Sequence, residues 1–220
     1  MVLNMASLDA NAVSKAREML SEMKDNVTIL FFKSKDGCEY CAQIDELTAE
    51  IAALNPKIKV EKYVMENDVA MAKEYEIDMA PAIVLRGKDK RFVRFFGIPA
   101  GYEFSTFISD IIDVSKGVPS IPPDIAEKVK KIDFPVRMLV FVTPTCPYCP
   151  GAVKVAHDFA LLNPNIRGDM IEATEFQELS EKYEVMGVPK TVISSNKDKI
   201  ELTGAYPIDV VLKKILEMGK

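Results

Sequence analysis

Two stretches decide the fold of this chain: residues 27–41, VTILFFKSKDGCEYC, and residues 136–149, VRMLVFVTPTCPYC. Each begins with an apolar run rich in β-branched and aromatic residues, which is typical of a buried strand. Each ends in a C-x-x-C pair, after which apolar residues recur every three or four positions, as they do on one face of a helix. Each stretch therefore predicts a strand, a short loop, and a pair of cysteines where a helix begins.

The two stretches belong to an internal duplication. Cys146 lies 108 residues after Cys38, and the same offset superimposes several other distinctive positions. The matching positions are Asn55-Pro56 with Asn163-Pro164, Tyr75-Glu76 with Tyr183-Glu184, and Pro81 with Pro189. Such gap-free agreement favours a repeated unit over a chance pairing of two cysteine motifs.

Hydrophobic periodicity predicts the same order of elements in both halves, β-α-β-α-β-β-α, with a further helix before each first strand. The strand–helix–strand start favours parallel pairing, and the later hairpin, which in the first half turns at 87–90, favours an antiparallel edge. We expect an α/β protein with two tandem domains, residues 1–116 and 124–220, each built on a central mixed sheet flanked by helices. The linker, residues 117–123, contains three prolines and is expected to be semi-rigid.

Composition excludes several classes of protein. The 220 residues are 48% hydrophobic and 28% charged, which is typical of a soluble globular chain. No apolar run reaches the ~18 residues of a membrane span, and a net charge of −5 argues against general nucleic-acid binding. The amino-terminal stretch lacks a basic segment before an apolar core, so we expect no secretory signal and a cytoplasmic location.

A cysteine pair at a helix start favours thiol–disulfide chemistry. The attacking species is the thiolate, and the free amides and dipole at a helix N-terminus stabilise that anion. The first cysteine of each pair gains most from this position, and the second lies about one turn further on. We therefore predict Cys38 and Cys146 as nucleophiles and Cys41 and Cys149 as resolving thiols.

The residues between the cysteines predict a difference between the pairs. Glu39 places a carboxylate beside Cys38 and is expected to raise the pKa of that thiol, whereas Pro147 adds no charge beside Cys146. The hypothesis is that Cys146 is the more acidic thiol. A pH titration in which Cys38 ionises first would contradict it.

Three other uses of the cysteines stay open. Two C-x-x-C pairs can together supply the four thiolate ligands of a zinc site, although structural zinc modules usually separate the pairs by ~15–20 residues, and here 104 residues lie between Cys41 and Cys146. The chain could also be a non-catalytic binding module with structural disulfides, or an electron-relay thiol protein for a peroxidase system.

Further motifs carry a resemblance to known proteins. Met79-Ala80-Pro81 and Gly187-Val188-Pro189 resemble the cis-proline signature of the thioredoxin superfamily. The tandem CEYC and CPYC pairs, together with residues 95–101, FFGIPAG, and 204–207, GAYP, resemble the protein disulfide oxidoreductases of hyperthermophilic archaea and bacteria. These proteins are also described as glutaredoxin-like or protein-disulfide-isomerase-like, and the resemblance covers essentially the whole chain.

The resemblance implies two tandem thioredoxin-like domains that oxidise, reduce and isomerise protein disulfides in the cytoplasm, without an organic cofactor or a metal. It implies client proteins with thiols or disulfides, and electron exchange with a thioredoxin-reductase-like flavoprotein. It also implies that Ala80 and Pro81 in the first half, and Val188 and Pro189 in the second, bind an extended substrate through the backbone.

The chain departs from thioredoxin at two places. It has no Trp, and the buried acid that thioredoxin carries six residues before the first cysteine is replaced by Phe32 and Val140. The other carboxylates considered for that role, Asp45, Glu46 and Glu61, are expected to be solvated surface charges. The sequence leaves open the direction of electron flow, because ~30 mV of reduction potential already corresponds to ~1.4 kcal/mol.

Overall fold

The computed structural model describes residues 9–88 and 91–219, and the helices and strands follow the predicted order. The elements of the first half are α1 Ala10–Leu20, β1 Val27–Lys33, α2 Cys41–Leu54, β2 Ile58–Val64, α3 Val69–Glu74, β3 Ala82–Arg86, β4 Phe92–Phe96 and α4 Glu103–Lys116. Those of the second half are α5 Pro123–Lys130, β5 Val136–Val142, α6 Cys149–Leu162, β6 Ile166–Glu172, α7 Gln177–Lys182, β7 Lys190–Ser195, β8 Lys199–Thr203 and α8 Ile208–Met218. Asp89 and Lys90 of the predicted hairpin turn lie outside the described residues. So do residues 1–8, which begin the amino-terminal stretch where no secretory signal is expected.

The fold class is the predicted one. In each half a parallel strand pair is extended by an antiparallel hairpin, so that β1 pairs with β2 and β3, and β5 pairs with β6 and β7. Helices flank both mixed sheets, as expected for thioredoxin-like domains. Within the described ranges, no helix is both long enough and apolar enough to cross a bilayer.

The join between the halves was not predicted. We expected the hairpin to form an antiparallel edge in each half, but β4 is an inner strand that pairs in parallel with β6. One eight-stranded sheet results, in the order β2-β1-β3-β4-β6-β5-β7-β8, and only the second hairpin forms an edge. The expectation is wrong for β4 because its second edge pairs with β6, which satisfies the backbone N–H and C=O groups that an edge strand leaves free, and its side chains Val93, Phe95 and Phe96 are all 0% exposed.

A buried ion-pair network crosses this join. The Arg94 guanidinium donates from Nε to Asp169 Oδ1 at 2.6 Å and from Nη2 to Asp169 Oδ2 at 3.0 Å. Arg137 Nε donates to the same carboxylate at 2.7 Å, and Arg137 also pairs with Asp78 at 2.8 Å. Arg94 is 1% exposed and Asp169 is 0% exposed, so these charges depend on one another for solvation.

Helices α4 and α6 pack side by side on one face of the sheet and share a second polar cluster. The ring nitrogens of His157 lie 2.5 Å from Asp110 Oδ2 and 3.1 Å from the carbonyl oxygen of Arg94. Lys154 Nζ lies among the carboxylates of Asp110, Asp113 and Asp158. His157, the only histidine in the chain, is thus a buried residue of the packing between the halves.

Candidate active site: two cysteine pairs at helix starts

The first cysteine pair lies where β1 gives way to α2. Cys41 is the first residue of α2, and Cys38 lies in the loop three residues earlier. No side chain caps the helix start at Tyr40, so the first amides of α2 stay available to a thiolate. Cys38 and Cys41 are joined as a disulfide with their Cα atoms 5.5 Å apart.

The second pair repeats this placement in a more buried setting. Cys149 begins α6 and is 0% exposed, and Cys146, with which it forms a disulfide, is 7% exposed. Pro150 lies in the first turn of α6, where the missing N–H costs no intrahelical bond. By contrast, the side chain of Tyr148, which lies between the two cysteines in the sequence, is 72% exposed.

Both predicted cis-prolines are observed, because the Ala80–Pro81 and Val188–Pro189 peptide bonds are cis. In each half the carbonyl oxygen of the proline accepts a hydrogen bond from a glycine after the hairpin, from Gly97 at 3.0 Å and from Gly204 at 2.7 Å. The structure brings Ala80 and Pro81 together with Cys38 on the wall of one cleft. That these backbones bind substrate stays a prediction.

The cleft at the first pair has a volume of about 840 Å³ and lies between the two halves. One wall consists of the cysteine loop, residues 37–40, and the segment 78–81 before and including the cis-proline. The opposite wall consists of residues 174–179 with Lys182 and Tyr183 of the second half, and Arg137 and Leu139 also line the cleft. The first active-site pair therefore faces surface from both halves.

The three carboxylates considered from the sequence lie on the surface. Asp45 forms an ion pair with Lys62 at 2.5 Å, with both side chains more than 40% exposed. Glu61 accepts a hydrogen bond from the Tyr63 hydroxyl at 2.8 Å, and Glu46 is exposed. None of the three resembles a buried proton acceptor.

Sequence reasoning missed Glu103, a buried carboxylate in the first turn of α4. Glu103 is 1% exposed, and neither carboxylate oxygen has a hydrogen-bond partner among the described residues. Burial raises the pKa of this carboxyl to about 7. In the sequence Glu103 is an acid in the first turn of a helix, which is ordinarily a solvated position, so nothing there distinguishes it.

The register of α4 against α6 places Glu103 at the level of Cys149. The two helices run in parallel, because Tyr102 N donates to Pro144 O at 3.0 Å near their starts and Asp110 contacts His157 further along. Glu103 lies seven residues before Asp110, and the first turn of α6 lies seven residues before His157. This register places the first turn of α4, which carries Glu103, beside the first turn of α6, which carries Cys149.

We expect Glu103→Gln to stabilise the protein in a pH-dependent way. The pKa of this carboxyl rises from an ordinary 4.5 to about 7 on folding. The free energy of unfolding of the wild type therefore falls as the pH rises from 4.5 to 7, because the unfolded state loses this proton first. At pH 8 the variant should gain about 3 kcal/mol over the wild type, and at pH 4 the difference should vanish. Denaturant unfolding at the two pH values measures this, and a gain that is equal at both would contradict it.

Glu175 is the second carboxylate that the sequence did not single out. Its Oε1 accepts a hydrogen bond from Ile98 N at 2.6 Å, across the join between the halves. Burial raises the pKa of this carboxyl to about 7, and the charges of Glu172 and Glu39 raise it further against that hydrogen bond. Glu175 belongs to the second half but lines the cleft of the first cysteine pair.

The arrangement does not gather the four sulfurs into a single metal site. Each pair is closed by its own disulfide, and the pairs lie in different halves of the sheet. Among residues 9–88 and 91–219, the one group of Cys, His, Asp and Glu ligand atoms close enough to share an ion is that of Asp110, Asp113 and Asp158. The ammonium of Lys154 already contacts these three carboxylates.

Comparisons with known proteins agree with this geometry. Residues 136–217 match the family model of a thioredoxin domain. A protein disulfide oxidoreductase from Aeropyrum pernix superimposes with a TM-score of 0.84 over 96% of this chain and 94% of that chain, at 29% sequence identity. The amino-terminal N/C domain of alkylhydroperoxide reductase AhpF from Enterococcus faecalis superimposes with a TM-score of 0.86 over 95% of this chain and 100% of that chain, at 20% identity.

A curated relative points the same way. The chain is 26% identical over 190 residues to the AhpF component of alkyl hydroperoxide reductase from Staphylococcus aureus. The alignment covers 86% of this chain but 34% of the relative, so the chain spans about a third of the length of the protein it matches.

Proposed function

We propose that this chain, a redox protein of the thioredoxin superfamily, is a dithiol–disulfide oxidoreductase that acts on protein disulfides. The observation that carries the proposal is the placement of each C-x-x-C pair at the start of a helix, with a cis-proline in the same half. We take residues 1–116 and 124–220 as two domains, joined by residues 117–123, with one pair in each.

The proposed cycle needs only the two sulfurs of a pair. In the reducing direction the thiolate of Cys38 or Cys146 attacks a substrate disulfide, one substrate sulfur leaves as a thiolate, and a mixed disulfide forms. The second cysteine of the pair then loses its proton and attacks the first, which releases the other substrate thiolate. Two electrons pass to the substrate, and the pair ends as the disulfide that the structure contains.

At the second pair we propose Glu103 as the group that takes the proton from Cys149. Cys149 is fully buried, so water cannot readily accept its proton. The pKa of the Glu103 carboxyl stays raised by burial although the Thr106 hydroxyl and the charge of His157 lower it. A carboxyl with a pKa of about 7 can both accept and return a proton near neutral pH. The residue acts on the resolving thiol, not on the one that attacks substrate.

We expect Glu103→Gln to slow the resolving step of the second pair about tenfold at pH 7.5. Glutamine keeps the size of the side chain but cannot take a proton. In a Cys38→Ser/Cys41→Ser background, stopped-flow oxidation of the reduced second pair measures the step across pH 5–9. The wild-type profile should rise with an inflection near pH 7, and the variant should lose it. An unchanged profile would remove Glu103 from the mechanism.

A second function is favoured by the similarity to the Staphylococcus aureus relative, which covers 86% of this chain. Under this hypothesis the pairs relay electrons from a thioredoxin-reductase-like flavoprotein to a peroxide-reducing partner, with the same exchange chemistry. The isomerase activity and the cytoplasmic location that the sequence suggests belong to the first hypothesis. The two hypotheses differ in their partner proteins and not in the cysteines that react.

Reduction of insulin by the native protein tests the common proposal. With a small dithiol as electron source, the protein should precipitate insulin chains faster than the dithiol does alone, and the reduced protein should present four titratable thiols. A rate equal to that of the dithiol alone would leave only a structural role for the disulfides. Transfer of electrons from a purified flavoprotein reductase would then separate the relay from the general oxidoreductase.

A further inference from the structure

The two cysteine pairs differ in what packs against the glycine that follows the hairpin of each half. Gly97 and Gly204 occupy equivalent positions, since each donates its N–H to the carbonyl oxygen of the cis-proline of its half and each has a positive φ, 91° and 104°. A Cβ on Gly97 would lie 2.6 Å from Glu172 Cβ and 2.8 Å from Glu175 Oε1. A Cβ on Gly204 would meet nothing within 4 Å. Residues 172–175 of the second half therefore pack against Gly97, whereas no described residue packs against Gly204 at the equivalent position. The first half contacts the second pair elsewhere, because Tyr102 N donates to Pro144 O at 3.0 Å.

The segment that covers the first pair is held firmly. Glu172 is 2% exposed, and its Oε2 accepts hydrogen bonds from the Thr174 hydroxyl at 2.6 Å and from Glu175 N at 2.7 Å. Glu175 in turn accepts from Ile98 N at 2.6 Å. These bonds fix the position of the Glu175 carboxyl at the edge of the cleft.

The cleft of the first pair has an excess of negative charge. Its six charged side chains are Glu39, Asp78, Glu175, Glu178, Arg137 and Lys182. Asp78 and Arg137 neutralise one another at 2.8 Å, and the Lys182 ammonium lies 5.7 Å from the ring centroid of Tyr183. Within the described ranges, no basic side chain forms an ion pair with the other three, Glu39, Glu175 and Glu178.

Two of these acids, Glu39 and Glu175, lie on opposite walls of the cleft, and both affect the hydroxyl group of Tyr40. The charge of Glu39, followed by burial and by the charge of Glu175, raises the pKa of the Tyr40 hydroxyl. The groups that face Glu175 are Glu172 from β6, Glu39 and Tyr40 from the cysteine loop, and the amide of Ile98. A substrate strand between Cys38 and the opposite wall would therefore pass between carboxylates.

We propose that the cleft makes the first pair selective for disulfides flanked by cationic, extended chain segments, and that Glu175 of the second half is the residue that sets this preference. The second pair serves as the unselective site. Its corresponding segments, residues 143–150 (TPTCPYCP), 186–189 (MGVP) and 204–207 (GAYP), contain no charged residue. The inference rests on the proposed disulfide exchange and adds its substrate class.

The physical basis is the attraction of a cationic segment by carboxylates in a cleft from which part of the water is excluded. Glu39 contributes from the wall of the first half, and Glu175 and Glu178 contribute from the wall of the second. Because the carboxyl of Glu175 titrates near neutral pH, the selectivity should increase from pH 6 to pH 8 as this group becomes charged.

The test compares two substrates on one pair. In the full chain with Cys146→Ser/Cys149→Ser, the pre-reduced first pair is mixed with symmetric peptide disulfides of equal length, flanked either by lysines or by glutamates. Each turnover oxidises the Cys38–Cys41 dithiol to a disulfide and reduces one peptide disulfide to two thiols. The lysine peptide should react about tenfold faster at pH 8 and low ionic strength, and the ratio should fall toward one in high salt.

Single substitutions then test whether Glu175 causes the preference for the lysine peptide. Glu175→Gln keeps an oxygen that can accept the hydrogen bond from Ile98 N, and it should lower the ratio of lysine-peptide to glutamate-peptide rates about threefold at pH 8. In this variant the ratio should be the same at pH 6 and pH 8. Glu181→Gln is the matched control, because Glu181 is an exposed acid on α7 that does not line the cleft, and its ratio should equal that of the parent. The Cys38→Ser/Cys41→Ser protein, which retains the second pair, should show a ratio near one.

The outcomes distinguish the exchange function from its selectivity. If neither peptide is reduced, the proposed exchange function fails for the first pair. If both are reduced at equal rates, exchange stands and the selective cleft is overturned. A ratio that Glu175→Gln and Glu181→Gln change equally would overturn the assignment to Glu175.

Discussion

Replacing Cys38 or Cys146 with serine is expected to lower disulfide exchange at that pair by at least about 10³-fold. A serine hydroxyl is almost wholly protonated at neutral pH and does not attack a disulfide, whereas the helix start favours the thiolate of a cysteine at the same place. Single-turnover oxidation of the reduced protein by a peptide disulfide measures the loss, with the other pair replaced by serines so that one site is observed at a time.

The second cysteine of each pair is the matched control for this prediction. Cys41→Ser and Cys149→Ser should still react once and then stop at the mixed disulfide, because the attacking thiol is intact and the resolving thiol is missing. Mass spectrometry of the acid-quenched protein should therefore find a substrate adduct in these variants and none in Cys38→Ser or Cys146→Ser. Adducts on the opposite members of the pairs would reverse the assignment of nucleophile and resolving thiol.

Asp169→Asn is expected to destabilise the protein by about 3–5 kcal/mol, which is the largest effect we predict for a residue outside the two sites. The carboxylate of Asp169 is fully buried and binds Arg94 across the join between the halves and Arg137 within its own half. Asparagine removes the negative charge and leaves the Arg94 guanidinium, which is 1% exposed, without this counterion in the core. The free energy of unfolding in guanidinium chloride measures the loss.

An exposed ion pair supplies the control for Asp169. Asp124 lies 3.8 Å from Lys128 on the surface of α5, with both side chains more than half exposed. Asp124→Asn should change the free energy of unfolding by less than about 1 kcal/mol, because water screens such a pair. Equal effects of the two substitutions would mean that the network across β4 and β6 contributes no more to stability than a surface charge pair does.

Much of the fold followed from local patterns. The apolar runs before each cysteine pair predicted β1 and β5, and the spacing of apolar residues after each pair predicted α2 and α6, which begin at Cys41 and Cys149. These elements could be predicted because each depends on residues that are neighbours along the chain. The two cis peptide bonds were expected on different grounds, from the resemblance of residues 79–81 and 187–189 to the cis-proline signature of the thioredoxin superfamily.

The buried carboxylates could not be predicted in the same way. Asp45, Glu46 and Glu61 lie close to the first cysteine pair in sequence, yet they are surface or half-exposed groups. Glu103 lies more than 40 residues before the pair it accompanies, and Glu175 lies more than 130 residues after Cys38. A carboxyl acquires an unusual pKa from the groups that surround it, and only the packing of the two halves sets those groups.

By itself, the sequence determined the order of helices and strands, the duplication and the position of each cysteine pair at a helix start, because hydrophobic period, proline and cysteine spacing act over short distances along the chain. Only the tertiary structure decided that β4 pairs with β6, that Asp169 holds Arg94 and Arg137, and that Glu175 of the second half lines the cleft of the first cysteine pair. Those features depend on which strand edges meet and which buried charges can neutralise each other, and both are set by residues that lie far apart along the chain.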